Sequence, residues 1–366
     1  IKTAREGVVR LGKLLEKYGT YEMNGIGFQD EDEIWWFESV GGHHWIAKRV
    51  PDDCYVVMPN QQGIDYLDLA DAFGDQTENM CSSDLIEFIR DNHLDLYMPE
   101  FGEEDYVLES EEFFDVRAAF GSHDDSDHSY NTPRAWIMER YLNPYTFKWE
   151  GEDADFTPEA DDLPWCLVPE HKVTIEDVKY VLSSHFQGTP YDPYGKYGDA
   201  SQRGKYRPIG INRNNFVAIT QLRGYMPDDI MAIQWIAMGS NVFNAMVPFY
   251  ANIEKTPEYL ANTDAKVSTD NFYWSNRLIG ALADAHFPMC NSHIERYQNS
   301  VHYAAHRFIK ETDEAYKANE MDIHRYLEEA NQRMADDVKE KTDDVLDKVL
   351  YEASMGMKNS YSRSDA

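Results

Sequence analysis

The stretch that decides the fold opens with Gly25-Ile26-Gly27-Phe28-Gln29-Asp30 and, after the acidic break Glu31-Asp32-Glu33, continues as Ile34-Trp35-Trp36-Phe37-Glu38-Ser39. Past Gly41-Gly42 it resumes as His44-Trp45-Ile46-Ala47-Lys48-Arg49, turns at Pro51-Asp52-Asp53, and rises again through Cys54-Tyr55-Val56-Val57-Met58. Four short aromatic and β-branched runs, each closed by acidic or Gly/Pro punctuation, predict an antiparallel meander. The aromatic density of the second run predicts a strand buried on both faces, inside a layered domain. Pro59 ends the last strand because it cannot donate to a sheet ladder, and Asn60 then presents an amide at the strand's end. Taken alone, Asn60 reads as an Asx-turn former, with the free amide as the other reading.

Working outward, the chain has 366 residues, room for one large or two ordinary domains. Its 42% hydrophobic and 13% aromatic content supports a sizeable core and argues against general disorder. Lys and Arg total 34 against 66 Asp and Glu, leaving a net charge of −32. Such a surface repels phosphate backbones and anionic lipid, so neither nucleic acid nor membrane is an expected partner. No apolar run approaches the roughly 20 residues of a membrane span, and a signal peptide is not expected. Cys54, Cys81, Cys166 and Cys290 are far apart and show no metal or redox spacing, so they read as reduced and structural, in a cytoplasmic protein.

Upstream of the meander, Thr3-Ala4-Arg5-Glu6 matches a capping box, with Val8, Leu11, Leu15 and Tyr18 at helical spacing and Gly19 as the stop. A packed helix so close to the first residue is an unusual natural N-terminus. Downstream, short helices are predicted from Ser83, over the segment from Asn131 to Asn143-Pro144, and from Thr174 to about Ser184. Residues 187–205, rich in Gly, Tyr and Pro, suit a lid or pocket wall and equally a surface excursion. Strand-like runs follow at 206–213, 215–222 and 230–238, then apolar Met246-Val247-Pro248-Phe249-Tyr250. From about Asn271 the pattern is helical, with a second capping box at Ser292-His293-Ile294-Glu295 and a loose tail over 359–366.

Two histidine groups invite a metal reading. Ser122-His123-Asp124-Asp125-Ser126-Asp127-His128 lacks the spacing of a Ca²⁺ loop and reads better as a mobile loop. His302 and His306 would share a helix face, but Tyr303-Ala304-Ala305 supplies no catalytic Glu between them, so both read as helix-surface residues.

Several segments, in order, resemble the dipeptidase A family of cysteine peptidases. They are the Thr3-Ala4-Arg5-Glu6 helix, Glu33-Ile34-Trp35, Trp45-Ile46-Ala47-Lys48-Arg49-Val50-Pro51, Pro59-Asn60-Gln61, Tyr206-Arg207-Pro208-Ile209, Gln234-Trp235 and Val247-Pro248-Phe249-Tyr250. The family is similar to penicillin V acylase and bile-salt hydrolase. The resemblance implies an α+β fold, a four-layer αββα N-terminal-nucleophile hydrolase sandwich over residues 1–289, followed by a helical extension and tail over 290–366. It also implies dipeptide substrates and a cysteine that becomes the first residue of the mature chain, its own α-amine acting as base. A side-chain amide at a strand end helps hold the oxyanion, and Asn60 matches that position. A buried arginine near the thiolate lowers its pKa, with Arg207 the first candidate and Arg213 the second. No cofactor or metal is expected.

The chain departs from the family at the point that matters most, because it begins at Ile1 and none of its four cysteines matches the nucleophile's position. The expectation is therefore a dipeptidase whose nucleophile lies upstream, in a missing N-terminal segment or a cleaved partner chain, with a homo-oligomer as the assembly. Two alternatives differ in class: a non-catalytic acidic binding or assembly protein keeping the fold, and a metal hydrolase using His123 and His128.

Overall fold

The computed structural model describes residues 1–94, 114–122, 124–261, 263–317 and 321–357. The described residues form a mixed α+β structure and divide into two compact units, Ile1–Val173 and Thr174–Ala366. His123, the acidic stretch at 99–112 and the tail at 359–366 lie outside the described residues.

In the first unit, helix Ala4–Tyr18 starts where the sequence places it: Thr3 Oγ1 accepts from the Glu6 amide at 3.1 Å. Glu6 reaches back to the Lys2 amide rather than that of Thr3, so the capping box is half formed. Gly19 ends the helix at φ 72°, a left-handed conformation that glycine adopts without a Cβ clash. The meander follows as strands Gly25–Gln29, Ile34–Gly41 and His44–Val50, all antiparallel. The expected fourth strand is different. Asn79–Cys81 takes the place beside His44–Val50, while Tyr55–Val56 pairs with Cys166–Leu167 in a separate ribbon. Pro51-Asp52-Asp53 turns the chain away from the sheet instead of back onto it.

Strand alternation assigns the two faces of this sheet. Trp35, Phe37, Trp45 and Ala47 pack with Ala4, Val8 and Leu15 of the first helix. On the opposite face Val40, Ile46 and Val50 pack with Ile64, Leu67, Leu85 and Trp165. The central strand is therefore buried on both faces, as its aromatic run predicts, and Glu38 is buried with it.

In the second unit, Phe216–Leu222, Ala232–Met238 and Val247–Tyr250 form a three-stranded antiparallel sheet, with Ala232–Met238 in the centre. Residues 206–213 are irregular rather than a strand, since Pro208 and Gly210 interrupt pairing. Helices Phe272–Asp284, Phe287–Tyr316 and Ile323–Met355 share one core with this sheet, from Trp235 and Val247 to Ile294, Val301 and Val338. Residues on both sides of 289 belong to that core. Ser292 lies inside an unbroken helix begun at Phe287, so its capping box does not form. Among the described residues, no helix is long and apolar enough to cross a membrane.

Candidate active site

Pro59 ends the strand-like run and Asn60 follows at an exposed bend, whereas Gln62, Gly63 and Ile64 run directly into the core. Glu38 holds that inward turn. Its carboxylate accepts the Gly63 and Ile64 amides at 3.2–3.3 Å, the Trp36 indole N–H at 2.7 Å, and the Gln62 side-chain amide. From the other side, Arg117 donates to the carbonyls of Gly63 and Leu163. A Cβ at position 63 would run into the Glu38 carboxylate, so only glycine lets the backbone approach this closely.

Asn60 itself is oriented by Arg134. Arg134 lies near the start of helix Thr132–Leu142, which is buried along nearly its whole length. Its Nη2 donates to Asn60 Oδ1 at 2.9 Å and to Asn131 Oδ1 at 2.6 Å, and its Nε donates to the Tyr130 carbonyl at 2.6 Å. A guanidinium can only donate, so Asn60 must turn its oxygen toward Arg134. Asn60 is exposed, and its Nδ2 hydrogens are left on the other side with no hydrogen-bond partner among the described residues.

Two buried carboxyls stand close to this loop. Burial drives the Glu38 carboxyl up to about 7, outweighing the pull of its N–H donors and of Arg117. Glu139, on the same helix as Arg134, is fully buried, and among the described residues neither of its oxygens has a hydrogen-bond partner. Burial pushes its carboxyl well above the usual range, with Arg117 pulling the other way. It lines a cavity of about 20 Å³ together with Gln61, Gln62, Gly63 and Arg117, room for about one water.

The other sequence candidates fall elsewhere. Arg207 and Arg213 belong to the second unit, in the irregular segment before Phe216; Arg207 is half-buried and Arg213 is exposed. The four cysteines are free thiols, and burial raises each of them, Cys81 and Cys166 to about 12. None is held as a thiolate. His128 pairs with Asp161 at 2.9 Å, and among the described residues no group of three His, Cys, Asp or Glu side chains could hold a metal ion.

Arg134, Glu38, Arg117 and Glu139 escape a reading of the sequence. The available signal was Glu38, a charged residue in a run otherwise fit for burial on both faces. Arg134 gives no comparable signal, because Asn131-Thr132-Pro133 in front of it reads only as the start of a helix.

Comparison with known proteins places the chain in a family. The profile of peptidase family C69 matches residues 1–300. A dipeptidase of Bifidobacterium longum is 51% identical over an alignment of 404 residues that takes in the whole chain and 74% of the relative. A probable dipeptidase A of Streptococcus pyogenes serotype M18 is 48% identical over 365 residues, covering all of this chain and 72% of its own length. Dipeptidase A of Lactobacillus helveticus is 38% identical, again over the whole chain and 72% of the relative. With a family profile over most of its length and relatives this similar across all of it, the chain belongs to peptidase family C69, a family of cysteine peptidases.

Proposed function

We propose that the polypeptide carrying this chain is a dipeptidase, with an N-terminal cysteine upstream of Ile1 as nucleophile and Asn60 as oxyanion donor. One observation carries the proposal. Asn60 is an exposed amide whose oxygen is occupied by Arg134, so its N–H groups face outward from a loop clamped by Glu38 and Arg117. A donor held still before reaction begins stabilises charge that develops only in the transition state. In the reaction the α-amine takes the thiol proton and the thiolate attacks the peptide carbonyl carbon. The carbonyl oxygen becomes the oxyanion, the C–N bond breaks as the leaving amine takes the proton, and water then releases the acid from the thioester.

A guanidinium near the thiolate would hold it ionised. Half-buried Arg207 is the first candidate and exposed Arg213 the second. The same reading carries the four-layer αββα arrangement for residues 1–289, with residues 290–366 as its helical extension. The antiparallel sheets support it, and the core shared across 289 makes the extension's first helices part of the packing on the three-stranded sheet.

The test is to purify the full-length polypeptide, assay it on a panel of dipeptides, and treat it with iodoacetamide. Loss of hydrolysis in step with alkylation of the first residue of the mature chain is the expected result. Hydrolysis that survives removal of that residue, or that depends on Cys54, would sink the mechanism.

A further inference from the structure

Lys179 is a buried lysine with no ion-pair partner among the described residues. It sits on helix Ile175–Val181, is 4% exposed, and donates from Nζ to Ser183 Oγ at 2.7 Å and to the Asn241 carbonyl at 2.5 Å. Both partners are neutral, and an ammonium carries three hydrogens. Burial alone pulls the amine down to about 7. An unpaired buried charge is costly, and one beside a cavity marks a place where a ligand can supply the counter-charge.

Such a cavity is present. Lys179 lines a space of about 530 Å³ with Tyr180, Val242, Phe287 and His302, within the size range of small-ligand sites. Gln187 and Asp192 contribute to it from the Gly/Tyr/Pro-rich loop, which makes that loop a pocket wall. His302 adds a second unmet group. It is not the surface residue its spacing implies: its Nε2 is buried and, among the described residues, has no hydrogen-bond partner. Burial also lowers the imidazole below its usual range, and a neutral ring can carry its proton on Nε2 and donate it. The carboxylates lining the cavity are already engaged, Glu176 with His306 at 2.5 Å, Asp192 with His185 at 2.8 Å, and Glu295 with Asn291 at 2.9 Å.

We propose that this cavity is a binding site for a small organic carboxylate, its oxygens paired with Lys179 Nζ and its apolar body against Val242 and Phe287. The site goes beyond the peptidase reading and does not rest on it. Binding brings the lysine fully to the ammonium form, so the complex takes up a proton from solvent.

Titration calorimetry on the full-length polypeptide near neutral pH tests this, with 3-phenylpropionate as the probe and 3-phenylpropionamide as its uncharged control. Two buffers of different ionisation enthalpy reveal the proton uptake. The expected result is saturable binding of the acid with proton uptake, and affinity for the amide at least about tenfold weaker, since a charge-assisted pair is lost. Lys179→Met should weaken the acid by at least about tenfold and abolish the uptake, while melting no lower than the parent, because a buried unpaired charge is removed. Equal affinity for acid and amide, unchanged binding in Lys179→Met, or no saturable heat in the millimolar range would overturn the proposal. Dipeptide turnover measured on the same samples keeps the two readings apart, because absent carboxylate binding with turnover intact overturns this site alone.

Discussion

Asn331 pairs with Tyr250 as a neighbouring strand would. From the buried face of helix Ile323–Met355, its Oδ1 accepts the Tyr250 amide at 3.0 Å and its Nδ2 donates to the Tyr250 carbonyl at 3.0 Å. Tyr250 lies in the outer strand of the three-stranded sheet, so one side chain closes part of an edge that would otherwise hold unpaired backbone groups. Asn331→Leu keeps the volume and leaves both groups buried and unpaired, a loss on the order of 2–5 kcal/mol. The neighbouring exposed Gln332→Leu should be close to neutral. Denaturant unfolding of the two variants checks this, and an Asn331→Leu protein as stable as its parent would remove the edge-closing role.

Asn60 should matter to turnover and not to stability. Asn60→Ala should lower kcat on the order of a hundred- to a thousandfold with KM nearly unchanged, since the lost donor acts on the transition state. Asn60→Asp should be at least as poor, although its carboxylate would pair well with Arg134 and keep the melting temperature. A turn-forming Asn makes the opposite forecast, because Asp replaces it well in an Asx turn. Steady-state kinetics with a thermal melt for each variant decides the matter: native turnover in Asn60→Asp rejects the oxyanion role.

Arg134 is a positioning residue on this reading. Arg134→Lys keeps a charge but not the fork that reaches Asn60, Asn131 and the Tyr130 carbonyl together. The amide of Asn60 is then free to turn. We expect kcat to fall on the order of ten- to a hundredfold while KM holds. A change confined to the melting temperature would assign Arg134 a purely structural role.

Buried Glu139 should make the protein less stable as pH rises. Its folded-state pKa lies above its unfolded one, so its protonated form adds stability below the ordinary Glu range, and that contribution is lost as pH climbs toward the folded value. Glu38, at about 7, acts in the same direction between roughly pH 4.5 and 7. Glu139→Gln keeps the shape and cannot ionise. Melting temperatures of variant and parent across that range should diverge with rising pH, in the variant's favour. Parallel curves would mean that Glu139 titrates normally.

Local signals carried a good deal of this structure. Thr3 and Gly19 bound the first helix, the Gly and Pro breaks bound the three strands of the meander, and the order of family-like segments led to the peptidase family and to Asn60. These are short-range effects, in which a cap, a turn or an alternating face is decided by residues a few positions apart. What the sequence could not decide was which distant segments would meet. The strand beside His44–Val50 is Asn79–Cys81 and not Tyr55–Val56, because pairing depends on where the chain travels after Pro51. Glu38 meets Gly63 and Arg134 meets Asn60 across 25 and 74 positions, through the packing of a buried helix and a sheet face. Lys179 and His302 likewise come to line one cavity only when their helices pack, and only then does a histidine that reads as a surface residue lose its water.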